Sequence, residues 1–329
     1  MVNRQVRVGI IGAGYWGEKL IGEYLRFSSK NPKIKLSAIV DIDVDRLKYI
    51  KEKYGIPGKL LYKNYLDVLN NSKVDAVHIS APNEFHYEFA SRAIEKRKHV
   101  LLEKPMTLSS RSAFKLARES EKAGIVLLVD HIFRFNNAVN LAKKMLEEDV
   151  LGELYYINLK WITYMEKLPY RDIIFDLAPH PIDIINHLLE EWPSRVYSRA
   201  RSFKRREDFE DSAFILMELP EGQVANVSLS WIQHGPKIRE IELIGEKSSL
   251  YINALTQNVR LYKAKSDSVE CPTNANNPIE TLLAHFINRI ITGEPPVSSP
   301  LIGAMTIYVI ERIKESLKKN QSINVVMPP

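Results

Sequence analysis

A glycine-rich turn near the amino terminus constrains the fold of this chain more than any other feature. Residues 12–17 read Gly-Ala-Gly-Tyr-Trp-Gly, a G-x-G-x-x-G pattern that directly follows the apolar run 6–11 and opens an amphipathic stretch. Between a strand and a helix, this pattern binds the pyrophosphate of a dinucleotide on the free N–H groups of the helix N-terminus. We expect Gly12 to allow the tight turn, Gly14 to let the backbone approach the phosphates, and Gly17 to let the helix pack close to the strand.

Short apolar runs alternate with helix-like stretches over the first 130 residues. The runs are apolar nearly throughout and rich in β-branched residues, which is typical of buried parallel strands. This alternation predicts βαβ units and a doubly wound parallel sheet. The predicted strands are 6–11, 36–41, 59–62, 74–81, 99–103 and 125–129, and the predicted helices are 17–27, 44–54, 65–70, 85–97 and 110–123.

The second half has longer strand-like stretches and few helices. Pro220-Glu221-Gly222 predicts a tight turn that joins two antiparallel strands. We therefore predict an α/β protein of two domains: a dinucleotide-binding Rossmann domain at 1–130, and a substrate-binding and oligomerisation α+β domain at 131–329 with an open, largely antiparallel sheet. Its predicted strands are 154–164, 195–203, 212–219, 223–231, 239–244 and 259–263, and its predicted helices are 137–148, 176–189, 279–291 and 301–318.

The composition excludes several classes of protein. The 329 residues include a single cysteine, Cys271, so an internal disulfide framework and a cysteine-rich zinc site are both excluded. No set of histidine, aspartate and glutamate has the sequence spacing of a metal site. No apolar run approaches the roughly 20 residues that span a bilayer, and the start lacks the pattern of a cleavable leader. We expect a cytoplasmic protein that does not act at a membrane.

The net charge of +6 allows several anionic partners. Basic residues are mostly interleaved with acids, and such charge runs are usually solvated, so we expect no nucleic-acid site. The densest basic cluster consists of Arg199, Arg201, Lys204, Arg205 and Arg206, followed by Glu207 and Asp208.

An acidic residue at the end of the second predicted strand bears on the choice of dinucleotide. Asp41 is placed to bind both ribose hydroxyls and would repel a 2′-phosphate, which favours NAD over NADP. Two alternatives stay open. Asp41 can instead serve the N-terminus of the next helix beside Asp43 and Asp45, and Arg46 can accommodate a phosphate.

Two further motifs follow predicted strands. Ala81-Pro82-Asn83-Glu84-Phe85-His86 follows the fourth strand and Glu103-Lys104-Pro105 ends the fifth. Ligands of doubly wound sheets bind beyond the carboxyl ends of the strands. Asn83 can also cap the following helix. The predicted cofactor contacts are Gly12, Gly14, Tyr15, Trp16, Gly17, Asp41, Ala81, Pro82, Asn83, His86, Glu103 and Lys104.

A histidine-containing segment stands in the second half. Asp176 and His180, four residues apart, share one face if the segment is helical throughout. Pro179 and Pro181 oppose this, because a proline disfavours α geometry at the residue before it. We expect the helix to begin at Pro181, with Asp176 on the preceding loop.

These motifs, in this order, resemble the Gfo/Idh/MocA family of NAD(P)-dependent sugar oxidoreductases. The matching residues are the glycine turn, the P-N-x-x-H at 82–86, the E-K-P at 103–105 and the D-x-x-x-H at 176–180. The resemblance covers essentially the whole chain. The segment 131–136, His-Ile-Phe-Arg-Phe-Asn, is similar to members described as UDP-N-acetylglucosamine 3-dehydrogenases, although Asn137 stands where those carry a proline.

The resemblance implies hydride transfer between nicotinamide and a hydroxyl-bearing carbon of a sugar, polyol or nucleotide sugar, with NAD as cofactor and NADP as the alternative. It implies that His180 takes the hydroxyl proton, that Lys104 stabilises charge on the same oxygen, and that Asp176 orients the histidine or binds a neighbouring hydroxyl. Arg134 either binds an anionic substrate group or pairs with an acid. The family chemistry needs no metal, and its open sheet implies a homodimer or homotetramer.

Three other functions stay open at this level. The first is an NAD-assisted glycoside hydrolase that oxidises its sugar transiently and restores it. The second is a reductase of a non-sugar carbonyl or imine, because a fold does not fix a substrate. The third is a non-catalytic NAD-binding regulator, which the presence of both Lys104 and His180 disfavours.

Overall fold

The chain forms two compact units in a computed structural model that describes residues 5–168, 171–204, 209–265 and 267–326. The first unit comprises Met1–Asp130 and Ile279–Ile307, and the second comprises His131–Pro278 and Tyr308–Pro329.

The first unit is built on a six-stranded parallel sheet with the strand order β3-β2-β1-β4-β5-β6. The order reverses between β1 and β4, so the glycine turn after β1 lies at the switch point where ligands of doubly wound sheets bind. This confirms the predicted Rossmann fold. The strands are β1 Val6–Ile11, β2 Ile34–Val40, β3 Leu61–Tyr62, β4 Ala76–Ile79, β5 His99–Leu102 and β6 Leu127–Val129, and the helices are α1 Tyr15–Lys30, α2 Val44–Tyr54, α3 Tyr65–Leu69, α4 His86–Glu95 and α5 Ser110–Ala123.

The second unit contains a nine-stranded sheet in the order β14-β13-β12-β11-β7-β10-β9-β8-β15. Among the residues that the structure describes, only the β7–β10 pairing of this sheet is parallel, which confirms the largely antiparallel sheet. The elements from here on are α6 Asn137–Glu147, β7 Leu154–Ile162, α7 Ile173–Leu177, α8 Pro179–Leu189, β8 Arg195–Arg201, β9 Ser212–Glu218, β10 Val224–Ser230, β11 Ile238–Gly245, β12 Ser249–Asn253, β13 Asn258–Ala264, β14 Asp267–Cys271, α9 Pro278–Thr292, α10 Pro300–Lys319 and β15 Ile323–Asn324.

The predicted hairpin joins β9 to β10, which pair antiparallel from Val224 opposite Glu218 to Ser230 opposite Ser212. Its turn is closed by a hydrogen bond of 3.0 Å from the Gly222 N–H to the Leu219 carbonyl. Gly222 has a φ of +95°, a conformation that side chains with a Cβ rarely adopt.

The sequence did not predict three strands, β12, β14 and β15. The strand β14 is exposed along most of its length and β15 has two residues. Neither shows the apolar alternation that predicts a strand. Each is recognised only by its pairing, β14 with β13 and β15 with β8.

The end of the chain divides differently from the sequence prediction, which assigned all of 131–329 to the second domain. The segment Ile279–Ile307 belongs to the first unit. The loop between α9 and α10 completes the edge of the parallel sheet there: the Val129 N–H donates to the Ser298 carbonyl at 3.2 Å, and the Ser298 hydroxyl donates to the Val129 carbonyl at 2.6 Å. Edge strands need such a partner for their backbone groups, and a sequence far from β6 supplies it.

In the described part of the chain, no helix has the length and apolar character that crossing a membrane requires.

Candidate active site

The glycine turn has the shape of a pyrophosphate cradle. A Cβ on Gly12 would lie 2.4 Å from the Ser80 carbonyl oxygen, and one on Gly17 would lie 2.0 Å from the Gly12 carbonyl oxygen. Both positions therefore require glycine for reasons internal to the protein. A Cβ on Gly14 would meet no atom of the protein within 4 Å, so the space beside Gly14 is open to a ligand. The residues present fit a dinucleotide phosphate.

Asp41 lies directly after β2 and is bonded to the turn. Its carboxylate accepts from the Ala13 N–H at 2.8 Å and from the Asp43 N–H at 2.9 Å. The cap of α2 is Asp43, which accepts from the Asp45 and Arg46 N–H groups. Asp41 is therefore not the residue that caps the N-terminus of α2.

Arg46 braces the glycine turn. Its Nε donates to the Ala13 carbonyl at 2.6 Å, its Nη2 lies 3.3 Å from the Gly14 carbonyl, and its guanidinium pairs with Glu18. Lys53 and Arg46 together lower the pKa of Glu18 to about 2. The guanidinium is therefore already engaged with groups of the protein.

His86 lies between the loops that follow β4 and β5. The side chain is buried, with Nδ1 2.8 Å from the Pro105 carbonyl oxygen and Nε2 2.9 Å from the Ala81 carbonyl oxygen. Burial lowers the pKa of this histidine. Both ring nitrogens face backbone carbonyl oxygens, so His86 links the loops after β4 and β5 to each other, and its cofactor contact stays a prediction.

Asn83 opens a 3₁₀ turn, Asn83–Phe85, that leads into α4. The N-cap residues of the 3₁₀ turn and of α4 are Pro82 and Phe85, so Asn83 is the N-cap of neither element. The capping alternative is therefore not observed. Ala81 and Pro82 line the same loop, and Asn83 is half-buried there.

The E-K-P motif follows β5. Lys104 is half-buried, whereas Glu103 is only 7 % exposed and accepts a hydrogen bond from the indole Nε1 of Trp16. Glu103 is thus held inside the protein, and its contact with the cofactor stays a prediction. Tyr15, in contrast, is 77 % exposed at the start of α1.

A buried polar cluster in the first unit was missed by the sequence reasoning. His78, Glu103 and Asp130 bring one ligand-type atom each to within 4.8 Å of the others. The sequence spacing does not reveal this cluster, because its residues are far apart in sequence, at the ends of neighbouring strands or inside one. Only the sheet order β4-β5-β6 makes them neighbours.

The second unit places Asp176 and His180 on two nearly continuous helices, which corrects the expected start at Pro181. Helix α7 contains Asp176, and α8 begins at Pro179 with His180 in its first turn. Prolines are tolerated there because the first N–H groups of a helix have no intrahelical partner. The residue before Pro179, Ala178, stays in the α region, so the local preference is overridden.

Aromatic rings surround His180. Its ring lies edge-on to Phe133 at 5.2 Å and tilted to Trp161 at 6.4 Å between centroids. Asp176 is 8 % exposed and pairs with Arg171 at 3.0 Å. An imidazole and a carboxylate one helical turn apart, against apolar walls, form a plausible acid–base site in chemical terms.

Arg134 is engaged in a buried network. Its Nε donates to Asp183 at 2.7 Å and its Nη2 donates to Asn186 at 2.7 Å. Arg134 as a whole residue is 8 % exposed. Of the two roles left open by the sequence, this geometry favours pairing with an acid over binding a substrate anion.

Arg239 is a residue that the sequence reasoning did not single out. Its guanidinium lies over the Trp161 ring at 5.5 Å and donates to the Ile162 carbonyl and the Thr163 hydroxyl. Burial lowers its pKa to about 10, and Asp176 acts against that shift. The sequence did carry a signal for Arg239: it stands at a position that the apolar alternation of β11 assigns to the buried face.

The basic cluster lies partly outside the described residues, since Arg205 and Arg206, with Glu207 and Asp208, fall in the gap. Arg199, Arg201 and Lys204 are exposed, as expected of solvated charges.

Comparisons with known proteins identify the family of this chain. Residues 6–131 match the family described as an oxidoreductase family with an NAD-binding Rossmann fold, and residues 139–251 match the Gfo/Idh/MocA C-terminal domain. The chain is 27% identical over 247 residues to 2,7-anhydro-N-acetylneuraminate hydratase of Escherichia coli, which covers 70% of this chain and 64% of that protein. It is 24% identical over 339 residues to myo-inositol 2-dehydrogenase of Thermotoga maritima, which covers 97% of this chain and 98% of that protein.

A solved structure shares the fold across both units. UDP-N-acetylglucosamine 3-dehydrogenase from Acidithiobacillus ferrooxidans is 21% identical, with a TM-score of 0.83 over 96% of this chain and 98% of that one. The chain spans just under two thirds of the hydratase but nearly all of the inositol dehydrogenase. Because the matched residues include most of the chain, the protein belongs to the Gfo/Idh/MocA family of oxidoreductases with an NAD-binding Rossmann fold.

Proposed function

We propose that the protein is an NAD-dependent dehydrogenase that acts on a hydroxyl-bearing carbon of a sugar, polyol or nucleotide sugar. The observation that carries the proposal is the cradle at Gly12, Gly14 and Gly17 within a family match that extends over both halves of the chain. The inositol dehydrogenase and the UDP-N-acetylglucosamine dehydrogenase named above support a polyhydroxylated substrate. We propose the first unit as the cofactor-binding domain and the second as the substrate-binding domain.

NAD is the favoured cofactor. The Asp41 carboxylate is fixed by the Ala13 and Asp43 N–H groups and keeps lone pairs for ribose hydroxyls. Its negative charge opposes a 2′-phosphate, and the Arg46 guanidinium is already paired with Glu18. NAD, when bound, supplies the hydride acceptor.

Three side chains are proposed to handle the hydroxyl proton. His180 takes the proton, because an imidazole with a pKa near 6.5 both accepts and returns protons at neutral pH. Lys104 donates a hydrogen bond to the same oxygen and stabilises its developing negative charge. Asp176 orients the imidazole or binds a neighbouring hydroxyl.

The test is a screen of nucleotide sugars, free sugars and polyols with NAD and with NADP, monitored by the absorbance of the reduced cofactor. With a substrate in hand, His180→Ala and Lys104→Ala should each lower kcat by about 100-fold or more. Lys115→Ala, which removes an exposed lysine of α5, is the matched control and should retain full turnover. Unchanged turnover in His180→Ala across the pH range would exclude the proton role.

A second candidate is a reaction without net redox change, in which the cofactor oxidises the sugar and later returns the hydride. The similarity to a protein named as a hydratase favours it, because hydration changes no oxidation state. Cofactor that stays bound through gel filtration, with product formed but no accumulation of reduced cofactor, would establish this candidate over the dehydrogenase. Steady accumulation of NADH with substrate would exclude it.

We further propose that the protein assembles as a homodimer or homotetramer through the outer face of the second unit's sheet. One face of β9 and β10 carries buried residues such as Ile215 and Val227. On the opposite face, Phe214 is 56 % exposed and Leu216 is 45 % exposed. Large apolar side chains on an open sheet face support a protein–protein interface.

A further inference from the structure

One face of helix α8, in the second unit, carries a row of polar side chains. His180, Asp183 and His187 stand three and then four residues apart, a spacing that places them on the same side of a helix. Asp183 is buried, and burial lowers the pKa of His187 to about 4, so this histidine is neutral at pH 7. The proposed reaction uses only His180, which leaves the two other polar residues of the row to be explained.

Arg134 joins this face of α8 to the segment 131–136. Its Nε donates to the Asp183 carboxylate at 2.7 Å, and its Nη2 donates to the side-chain oxygen of Asn186 at 2.7 Å. Both side chains of the ion pair are buried. A buried ion pair adds little net stability, because removing two charges from water costs about as much as their attraction returns. The planar guanidinium does supply geometry, since its donors have fixed directions and so fix the rotation of α8 against the segment.

A second link joins the same face of α8 to α6. The Asn140 Nδ2 donates to the Arg134 carbonyl at 3.1 Å, which leaves the Asn140 Oδ1 facing His187 Nε2 at 2.8 Å. A neutral imidazole in this arrangement carries its proton on Nε2 and donates it to the amide oxygen. Arg134 is therefore linked to α8 twice, directly through its guanidinium and through Asn140 by its carbonyl.

The same segment packs on the proposed proton acceptor. The ring of Phe133, the residue before Arg134, lies edge-on to His180 at 5.2 Å between centroids and edge-on to Trp161 at 5.0 Å. Phe133 and Arg134 belong to one 3₁₀ turn, Ile132–Phe135. A rotation of α8 against this turn would therefore change the ring contact and the direction of the imidazole together.

We propose that Arg134 is a positioning residue for catalysis: through its two bonds to α8 it fixes the rotation of that helix, and so the direction in which the His180 imidazole points. The proposal rests on the proposed function in one respect, that His180 takes the hydroxyl proton. Misplacing a catalytic group by about 1 Å is enough to lower a rate by about 100-fold.

The first test observes the His180 imidazole directly, in the full-length protein and without a substrate. In protein labelled with ¹³C at the histidine Cε1, the NMR signal of His180 is assigned by its loss in His180→Gln. The rings of Phe133 and Trp161 shift this signal by amounts that depend on their distance and angle to it. Arg134→Lys keeps the charge but has no planar guanidinium, so its His180 signal should move or divide into several.

The second test compares turnover with cofactor binding, using myo-inositol and UDP-N-acetylglucosamine with NAD for kcat and fluorescence titration for NADH. Arg134→Lys should lower kcat about tenfold or more, with the dissociation constant of NADH within about twofold of wild type. Asp183→Asn keeps an acceptor oxygen for Arg134 Nε and should keep about a third or more of wild-type turnover. Arg195→Lys, at an exposed ion pair between β8 and Glu218, is the matched control and should change neither quantity.

A milder variant keeps the comparison valid if Arg134→Lys fails to fold. Asn186→Ala removes only the second bond and leaves the ion pair in place, so its His180 signal should move and its kcat should fall about threefold. An unchanged His180 signal in both variants would overturn the proposal. So would a raised KM at unchanged kcat, which is the result expected of a residue that binds substrate. A wild type that oxidises neither probe would count against the proposed function instead, and the His180 signal would then decide the positioning alone.

Discussion

Two glycines of the cofactor turn, at the residue scale, should respond differently to the same substitution. Gly17→Ala places a methyl group 2.0 Å from the Gly12 carbonyl oxygen, so it should lower the free energy of unfolding by about 1–3 kcal/mol or more. Gly14→Ala meets no protein atom within 4 Å, so its stability should be close to wild type while its affinity for NADH falls about tenfold. Urea unfolding and NADH titration of both variants check this. A Gly14→Ala protein with wild-type affinity would show that no ligand approaches at Gly14.

The short helix that carries Asp176 depends, at the scale of elements, on its N-cap. Asp172 accepts from the Ile174 N–H at 2.7 Å and the Phe175 N–H at 3.3 Å, and it also pairs with Lys314. Asp172→Ala should cost about 1–2 kcal/mol of stability and lower kcat by loosening Asp176. Asp172→Asn retains an acceptor oxygen and should recover most of both losses. If Asn and Ala behave alike in chemical denaturation, the cap is not what Asp172 contributes.

At the scale of the whole molecule, buried histidines should make the protein sensitive to mild acid. Burial lowers the pKa of His78 and of His187 to about 4, whereas the unfolded chain titrates near 6.5. Between these values the unfolded state binds protons that the folded state excludes, so stability falls as the pH drops from about 6.5 to 4. The loss is roughly 2–3 kcal/mol for the fully buried His78 and smaller for the half-buried His187. Urea midpoints measured across this range check the slope. His187→Gln, which keeps a donor for Asn140, should make the slope shallower, and an unchanged slope would contradict the assignment.

The proposed assembly gives a second prediction at this scale. Phe214→Glu puts a charge on the outer face of β9, where Phe214 is 56 % exposed in one chain, so the fold should tolerate it. In an oligomer the same charge would be buried without a partner, and the complex should dissociate. Light scattering after gel filtration gives the mass, with Lys122→Glu, at an exposed site of α5, as the control. A wild-type protein that is a monomer at working concentration would exclude the proposal.

The sequence by itself determined the features that depend on short stretches of chain. The G-x-G-x-x-G turn lies within six neighbouring residues, and each strand or helix of the alternation is a short local pattern. Local pattern was therefore enough to predict the Rossmann fold. The hairpin at Gly222 was predictable for the same reason, because its turn geometry is encoded in three residues.

Only the tertiary structure decided what non-local contacts control. His86 is bonded to two carbonyls from different loops, Arg134 is paired with residues about fifty positions away, and α9 with part of α10 returns to the first unit. The helix start at Pro179 shows packing overriding a local proline preference. A side chain's partners are fixed by which strands lie side by side, and for His78, Glu103 and Asp130 that order appears only in the assembled sheet.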